Sequence, residues 1–545
     1  MTNDKINQII KAISLFVFIL IGFSEGAPDK EYLVSVSLQD QNRIFELSDL
    51  HMSVIEELDG YALVLCGPKD INILKINQFP YSLTDSAPFS KIYFLISKSD
   101  IEKTHLERCG DIINNDGIYV LLRTTEDKII ELNRLPVKLK RIFFKPIIIN
   151  KATYQVERKP SNDSAIVRLD STIVSIMQKV SFDSIYSTIY RLQSFRTRYS
   201  TTDSCYAAAQ FVADRFSDYG LDSVYLHSWR INYAPNTVGI KWGQLYPNLS
   251  YIICAHLDAT SNQAPLIAPG ADDNASGGTA VLEAARVLKD YDFDYTIKFV
   301  TFTGEEQGLL GSDTFAHQSY LRSDTILGVL NFDMIAYGLS SPILRVYGKN
   351  SNPNCEWLVD NFIATADTYT ILSTNKRMVN SAAWSDHSSF WRYGYTALCG
   401  IENDNNPYYH QTSDTLGSGA NNLTFATEGI KAAIATLAKL AHVNSLSVEE
   451  NSEAKSSIIS LHQNYPNPFT KYTTIRYSLS SLEKHDLKIY DVMGKLVKSI
   501  LIDENIQNIV WNRTDNRGER VCPGVYFYRI ESKTTLTPFL KVLII

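Results

Sequence analysis

The chain has 545 residues, of which 45% are hydrophobic and 20% charged, with a formal net charge of −7. That length predicts three or four domains, and the apolar share is enough to bury a core in each. The mildly acidic balance, with both signs mixed along the chain, excludes a general electrostatic pull toward nucleic acid or anionic membrane.

Lys5 and Lys11 precede an apolar run, Ala12–Phe23, that is too short to span a bilayer. Ser24 and Gly26 are small residues spaced for cleavage after Gly26, so residues 1–26 read as a secretory signal peptide. No later run reaches membrane-spanning length. Residues 27–150 read as an α+β accessory or propeptide domain with no visible chemistry. Asp59-Gly60 followed by Tyr61–Cys66 resembles Asp116-Gly117 followed by Ile118–Arg123, and an apolar segment follows each. Chance accounts for this pattern as well as duplication does.

Residues 151–175 are expected to be a polar linker. From 176 to 443, strand-like and helix-like segments alternate. Ser250–Ala255, Thr296–Thr303, Leu327–Phe332 and Tyr395–Ile401 are apolar runs of strand length. Gly277–Lys289 has helical apolar spacing at Val281, Leu282, Ala285 and Leu288. This predicts an α/β domain, a mixed, largely parallel sheet flanked by helices. Residues 444–460 are a second polar linker, and 461–545 alternate like a small β-sandwich. The seven cysteines contain no CxxC and cannot all pair internally, so no disulfide framework is expected.

Metal-ligand residue types gather at the predicted strand ends: His256 and Asp258, Asp272-Asp273, Glu305-Glu306, Asp333, then Asp386-His387 and His410. Open α/β sheets bind ligands beyond the carboxyl ends of their strands. Imidazole and carboxylate together suit zinc. Adjacent Glu305 and Glu306 could supply base and ligand to a two-metal site. Each fragment alone is ordinary; the ordered set is what carries weight. No GxSxG or HExxH occurs, which disfavours a serine hydrolase and a gluzincin.

The motifs HLDAT, GADDNASGG, TGEEQGLLGS, NFDM, SDH and PYYH, with the upstream LQSFRTRYSTT, resemble the bacterial leucyl aminopeptidase and aminopeptidase Y family of co-catalytic zinc exopeptidases over roughly 185–442. The resemblance implies two Zn2+ per catalytic domain. His256 and Asp333 would hold one ion, Glu306 and His410 the other, and Asp272 would bridge them, with a cis peptide to Asp273. Glu305 would be the general base, and Asp258 would orient His256. It keeps His387 near the site rather than on a metal, although spacing alone would count it as a ligand. The substrate's free α-amine would sit near Glu306 and Glu402. A family tyrosine before SDH corresponds to Ala382. Glutaminyl cyclases share the fold, and the intact GADDNASGG argues against that reading. In the C-terminal segment NYPNPF, YDVMGK and GVYFYR resemble the sorting domain of the type IX secretion system, which implies export and removal of the domain; a carbohydrate-binding module is its structural rival. The expected whole is a secreted or cell-surface metallo-aminopeptidase, a monomer without a stable membrane span, acting on peptide or protein substrates and meeting the secretion machinery through its C-terminal domain. A zinc carboxypeptidase and an inactive binding protein are the alternatives.

Overall fold

The computed structural model describes residues 31–39, 43–97, 102–149, 170–444 apart from 340, 383 and 404, and most of 459–544. The signal peptide expected at 1–26 lies outside the described residues, as does most of the two expected linkers; the first of these ends earlier than expected, because Asp170 caps the helix Ser171–Gln178.

The N-terminal segment is built from two units of one design. In the first, β1 (Tyr32–Ser37), the helix Arg43–Asp49, β2 (Ser53–Leu58), β3 (Tyr61–Cys66), the helix Pro68–Ile76 and β4 (Tyr81–Asp85) form an antiparallel sheet in the order β2-β3-β1-β4. In the second, β5 (Ile92–Ser97), the helix Lys103–Cys109, β6 (Asp111–Asn115), β7 (Tyr119–Thr124), the helix Ile129–Asn133 and β8 (Leu139–Arg141) repeat it as β6-β7-β5-β8. Both are split βαβ arrangements of ferredoxin-like order. The turn glycine of each central hairpin, Gly60 and Gly117, has a positive φ (84° and 89°) that a side chain would strain. A register shift interrupts β2 after Val54 and β6 after Ile112. The faint sequence echo is therefore a duplication of topology. The first repeat falls in a unit of its own, and the second belongs to the same compact unit as the rest of the chain.

The central sheet has eight strands: β9 (Ser223–His227), β10 (Asn236–Lys241), β11 (Tyr246–His256), β12 (Tyr295–Phe302), β13 (Thr325–Phe332), β14 (Leu344–Gly348), β15 (Thr374–Met378) and β16 (Ala397–Glu402), in the order β15-β14-β16-β13-β11-β12-β10-β9. The middle pairs are parallel, and β10, β9 and the β14/β16 pair run antiparallel. Side chains alternate between two cores. Tyr251, Ile253 and Ala255 pack under the helices Ala275–Leu288 and Leu423–Leu440, while Ile252 and Cys254 face Phe315 and Phe390 on the other side. Burial on both faces is why β11–β13 read as continuous apolar runs.

Chain order fixes where a site can form. From β11 the chain passes to β12 on one side, then returns to β13 on the other. The helix Ala275–Leu288 covers one face and the helix Leu310–Leu321 the opposite one. That reversal opens a crevice at the carboxyl end of β11.

Arg198, fully buried, ties the loops below this crevice together. Its guanidinium donates to the carbonyls of Leu257 (2.7 Å), Leu192 (3.0 Å), Pro269 (2.5 Å) and Gly270 (2.8 Å). Arg198→Leu would strand four buried carbonyls, each costing about 1–3 kcal/mol if left unmet. Partial relaxation brings the expected loss to roughly 3–5 kcal/mol in urea unfolding. A loss below about 1 kcal/mol would mean that these bonds are readily replaced.

The C-terminal segment is a sandwich of two sheets. One comprises β17 (Ile459–Leu461), β18 (Thr473–Leu479) and β21 (Asn508–Trp511). The other orders β20 (Leu496–Ile502), β19 (His485–Asp491), β22 (Gly524–Glu531) and β23 (Leu540–Ile544). Trp511, Leu487, Ile489 and Tyr528 fill its core. Among the described residues, no helix is long and apolar enough to cross a membrane.

Candidate metal centre

His256 is the last residue of β11. Its Nδ1 lies 3.0 Å from the carbonyl oxygen of Asp258 and so carries the ring proton, leaving the Nε2 lone pair free. Nε2 points at two carboxylates, Asp273 Oδ1 at 3.2 Å and Asp333 Oδ1 at 3.4 Å. His410 is arranged the same way. Its Nδ1 is 2.9 Å from the carbonyl of Leu135, and its Nε2 faces Glu306 Oε2 at 3.0 Å and Asp273 Oδ2 at 3.3 Å. The Asp273 carboxylate thus lies between the two imidazoles, one oxygen toward each.

Asp272 is not in this cluster, contrary to the sequence expectation. Its Oδ1 accepts from the Ala336 amide and its Oδ2 from Asn406, both at 2.8 Å. The cause is the backbone of the turn. The amides of Asp272 and Asp273 both donate to the Asp414 carboxylate at 3.0 Å, and the two side chains then leave on opposite sides. The cis peptide also falls one bond later than expected, at Asp273–Asn274. Asn274 follows as the cap of the helix Ala275–Leu288, accepting from the Gly277 amide at 2.8 Å. Glu402 accepts from the Tyr337 amide beside Asp272 and does not line the cavity.

The two glutamates sit on the turn after β12. Their amides donate to the Asp258 carboxylate (3.3 Å from Glu305, 3.2 Å from Glu306), which also accepts from Ser200 Oγ at 2.8 Å. Asp258 therefore braces the glutamate turn with its carboxylate and His256 with its carbonyl; its carboxylate is 3.8 Å from the ring. Glu306 Oε1 accepts from the Thr260 amide at 3.1 Å.

Close packing of acids and imidazoles skews their titration. Burial opposes protonation of both histidines, but the carboxylates outweigh it. His256 is held well above the usual imidazole range by Glu305, Asp273 and Asp333, and His410 rises to about 10 through Glu306 and Asp273. Glu305 is pushed well above the carboxylate range, first by burial; His256 pulls the other way, and Glu306 and Asp333 add to the rise. Asp273 falls below its usual range, because the two imidazoles overcome its burial.

The donor set fits zinc. His256, Asp273 and Glu306 form one group of potential ligands, and His256, Glu305 and Asp333 another, with ligand atoms within 4.8 Å of one another. Zinc bonds of about 2.0–2.1 Å in a tetrahedron give donor separations of about 3.3 Å. The imidazole–carboxylate distances here run from 3.0 to 3.4 Å. The buried His410 Nε2 faces the Glu306 and Asp273 carboxylates, a contact that either a proton or a bound cation satisfies.

His387 stands apart from the ligands, as the family resemblance implied. Its Nε2 is 2.6 Å from the Ala382 carbonyl, its ring lies against Trp384 and Trp391, and burial pushes its pKa down to about 3. Three groups escaped the sequence reading: Asp414, which shapes the turn; Tyr409, which stacks on His410 with centroids 3.8 Å apart; and Lys138. With Val137, Leu139 and Trp384, Tyr409 and Lys138 line the cavity over the cluster.

Residues 236–431 match peptidase family M28, and residues 463–545 match the secretion system C-terminal sorting domain. A probable leucine aminopeptidase 1 of Trichophyton verrucosum is 29% identical over 276 residues, 46% of this chain and 72% of its own. The leucine aminopeptidase 1 of Trichophyton rubrum is 27% identical over 273 residues, with the same coverage. Among solved structures, the LapA aminopeptidase of Legionella pneumophila is similar with a TM-score of 0.51 and 20% identity, over 64% of this chain and 98% of that one, a likeness of fold. The sorting domain marks a secreted or cell-surface protein. Fold, ordered motifs and both matches agree: residues 236–431 are a peptidase family M28 domain, and residues 463–545 are a secretion system C-terminal sorting domain.

Proposed function

We propose that this protein is a secreted zinc aminopeptidase in which two ions share the Asp273 carboxylate and Glu305 is the general base. The observation that carries this reading is that carboxylate, with one oxygen toward each imidazole. His256 and Asp333 would complete one zinc site, and Glu306 and His410 the other. Asp273 takes the bridging role first expected of Asp272. Bound zinc would supply a water of near-neutral pKa and polarise the scissile carbonyl. Glu305 would accept the water's proton and pass it to the leaving amine. The carbonyls of Asp258 and Leu135 hold the imidazoles in the tautomer that leaves Nε2 free. Along the chain we propose a signal peptide at 1–26, a propeptide or accessory segment at 27–150, linkers at 151–175 and 444–460, the peptidase at 176–443 and the sorting domain at 461–545.

The test compares aminoacyl and N-acetylated aminoacyl substrates with zinc loaded and after chelation. Hydrolysis should require the free amine, vanish on chelation and return with zinc, near two ions per chain by metal analysis. Cleavage of blocked peptides, or release from the carboxyl end, would favour the carboxypeptidase instead.

A further inference from the structure

We propose that the second N-terminal repeat is a built-in inhibitor: the segment from Asn133 to Arg141 straps over the metal centre, and Lys138 closes its mouth. This rests on the metallopeptidase reading above. Lys138 Nζ lies 3.9 Å from Asp333 Oδ2 and 3.8 Å above the centre of the Trp384 ring. It offers the acidic cluster an ammonium, the same group that a peptide's free N-terminus brings.

The strap is fastened along its length. Asn133 donates to the Glu306 carbonyl, and its own carbonyl accepts from Thr260 Oγ1 at 2.8 Å. Arg134 Nε donates to the Ala264 carbonyl at 2.8 Å, and the Leu135 carbonyl receives the His410 Nδ1 proton. The Arg141 amide reaches the Gly308 carbonyl at 3.4 Å. Gly308 has to be glycine for this approach, because a Cβ there would meet the Arg141 amide nitrogen at 2.8 Å. Elsewhere in the repeat, the Tyr119 hydroxyl donates to the Ser381 carbonyl. Backbone bonds of this kind hold the strap against the site's own ligands and neighbours, which a loosely attached accessory module would not need.

Space argues the same way. The cavity under the strap measures about 10 Å³, room for about one water molecule. Ligand pockets run from about 300 to 1,000 Å³. A peptide terminus with its scissile bond over the cluster would have to displace Val137–Leu139. Joined to the peptidase through residues 151–169, the repeat acts at the high effective concentration of a tethered ligand. Cutting that connection makes inhibition bimolecular and sensitive to dilution.

The test uses the full chain with a specific protease site placed between 151 and 169. Zinc content, calorimetric binding of an aminoacyl hydroxamate and hydrolysis of an aminoacyl anilide are measured in the intact chain, in the nicked chain diluted to nanomolar concentration, and in Lys138→Ala. The intact chain should hold its zinc, bind hydroxamate poorly and turn over slowly. The nicked, diluted chain should bind hydroxamate and work on the order of 10²-fold faster, as loss of a millimolar effective concentration allows. Lys138→Ala should give a smaller gain, since the backbone stays in place. If Lys138→Ala does not fold, the nicked chain still carries the test. Equal hydroxamate affinity and rate in intact and nicked chains would overturn the inhibitor. So would loss of zinc and activity on nicking, which would make the strap a permanent part of the site. If nicking opens the site to hydroxamate and no aminoacyl substrate is cut, the strap stands and the aminopeptidase reading falls.

Discussion

Glu305→Gln should leave the zinc content unchanged and lower kcat by about 10²–10⁴-fold, the usual range for loss of a general base. The amide keeps the size of the side chain but cannot take a proton from water. The turn that presents it is fixed through its backbone, with the amides of residues 305 and 306 on the Asp258 carboxylate, so the substitution should not disturb Glu306. Metal analysis and steady-state kinetics on the nicked chain, compared with its nicked parent, read the two effects separately. A variant that keeps both zincs and near-parental kcat would remove Glu305 from the role.

The second large effect separates two neighbours. Asp273→Asn should lose at least one zinc on dialysis and more than about 10²-fold in rate, because an amide cannot share its charge between two cations. Asp272→Asn should keep both ions. Its carbonyl oxygen can still accept from the Ala336 amide, while its amide would face the Asn406 donor. One mismatched hydrogen bond there costs about 1–3 kcal/mol of stability without touching the metals. Measured side by side, the pair decides which aspartate bridges. Zinc loss confined to Asp272→Asn would restore the original assignment.

That choice marks the limit of what the sequence made legible. Ligand types were visible because they end apolar strands, and β11, β12, β13 and β16 were visible because they are buried on both faces. The edge strands were not. β15 carries Asn375, Lys376 and Arg377 to solvent, and β9 is half exposed, so neither shows an apolar run. Which of two adjacent aspartates turns inward depends on one turn and on Asp414, a residue without its own motif. Lys138 reaches the site only because a separate repeat folds back on it. Nothing in Pro136–Lys140 resembles a ligand pattern, and such a contact is written in tertiary structure alone.

All seven cysteines are unpaired, and six of them are buried. Burial raises the thiol pKa of these six, well above normal for Cys205, Cys254 and Cys399, so little reactive thiolate is available at neutral pH. Cys522, exposed in the sorting domain, is the one ready target for a thiol-directed dye on the native protein. No engineering is needed to mark that domain alone. Whether the fluorescence stays with the cells or leaves with the enzyme would show whether the two part on export.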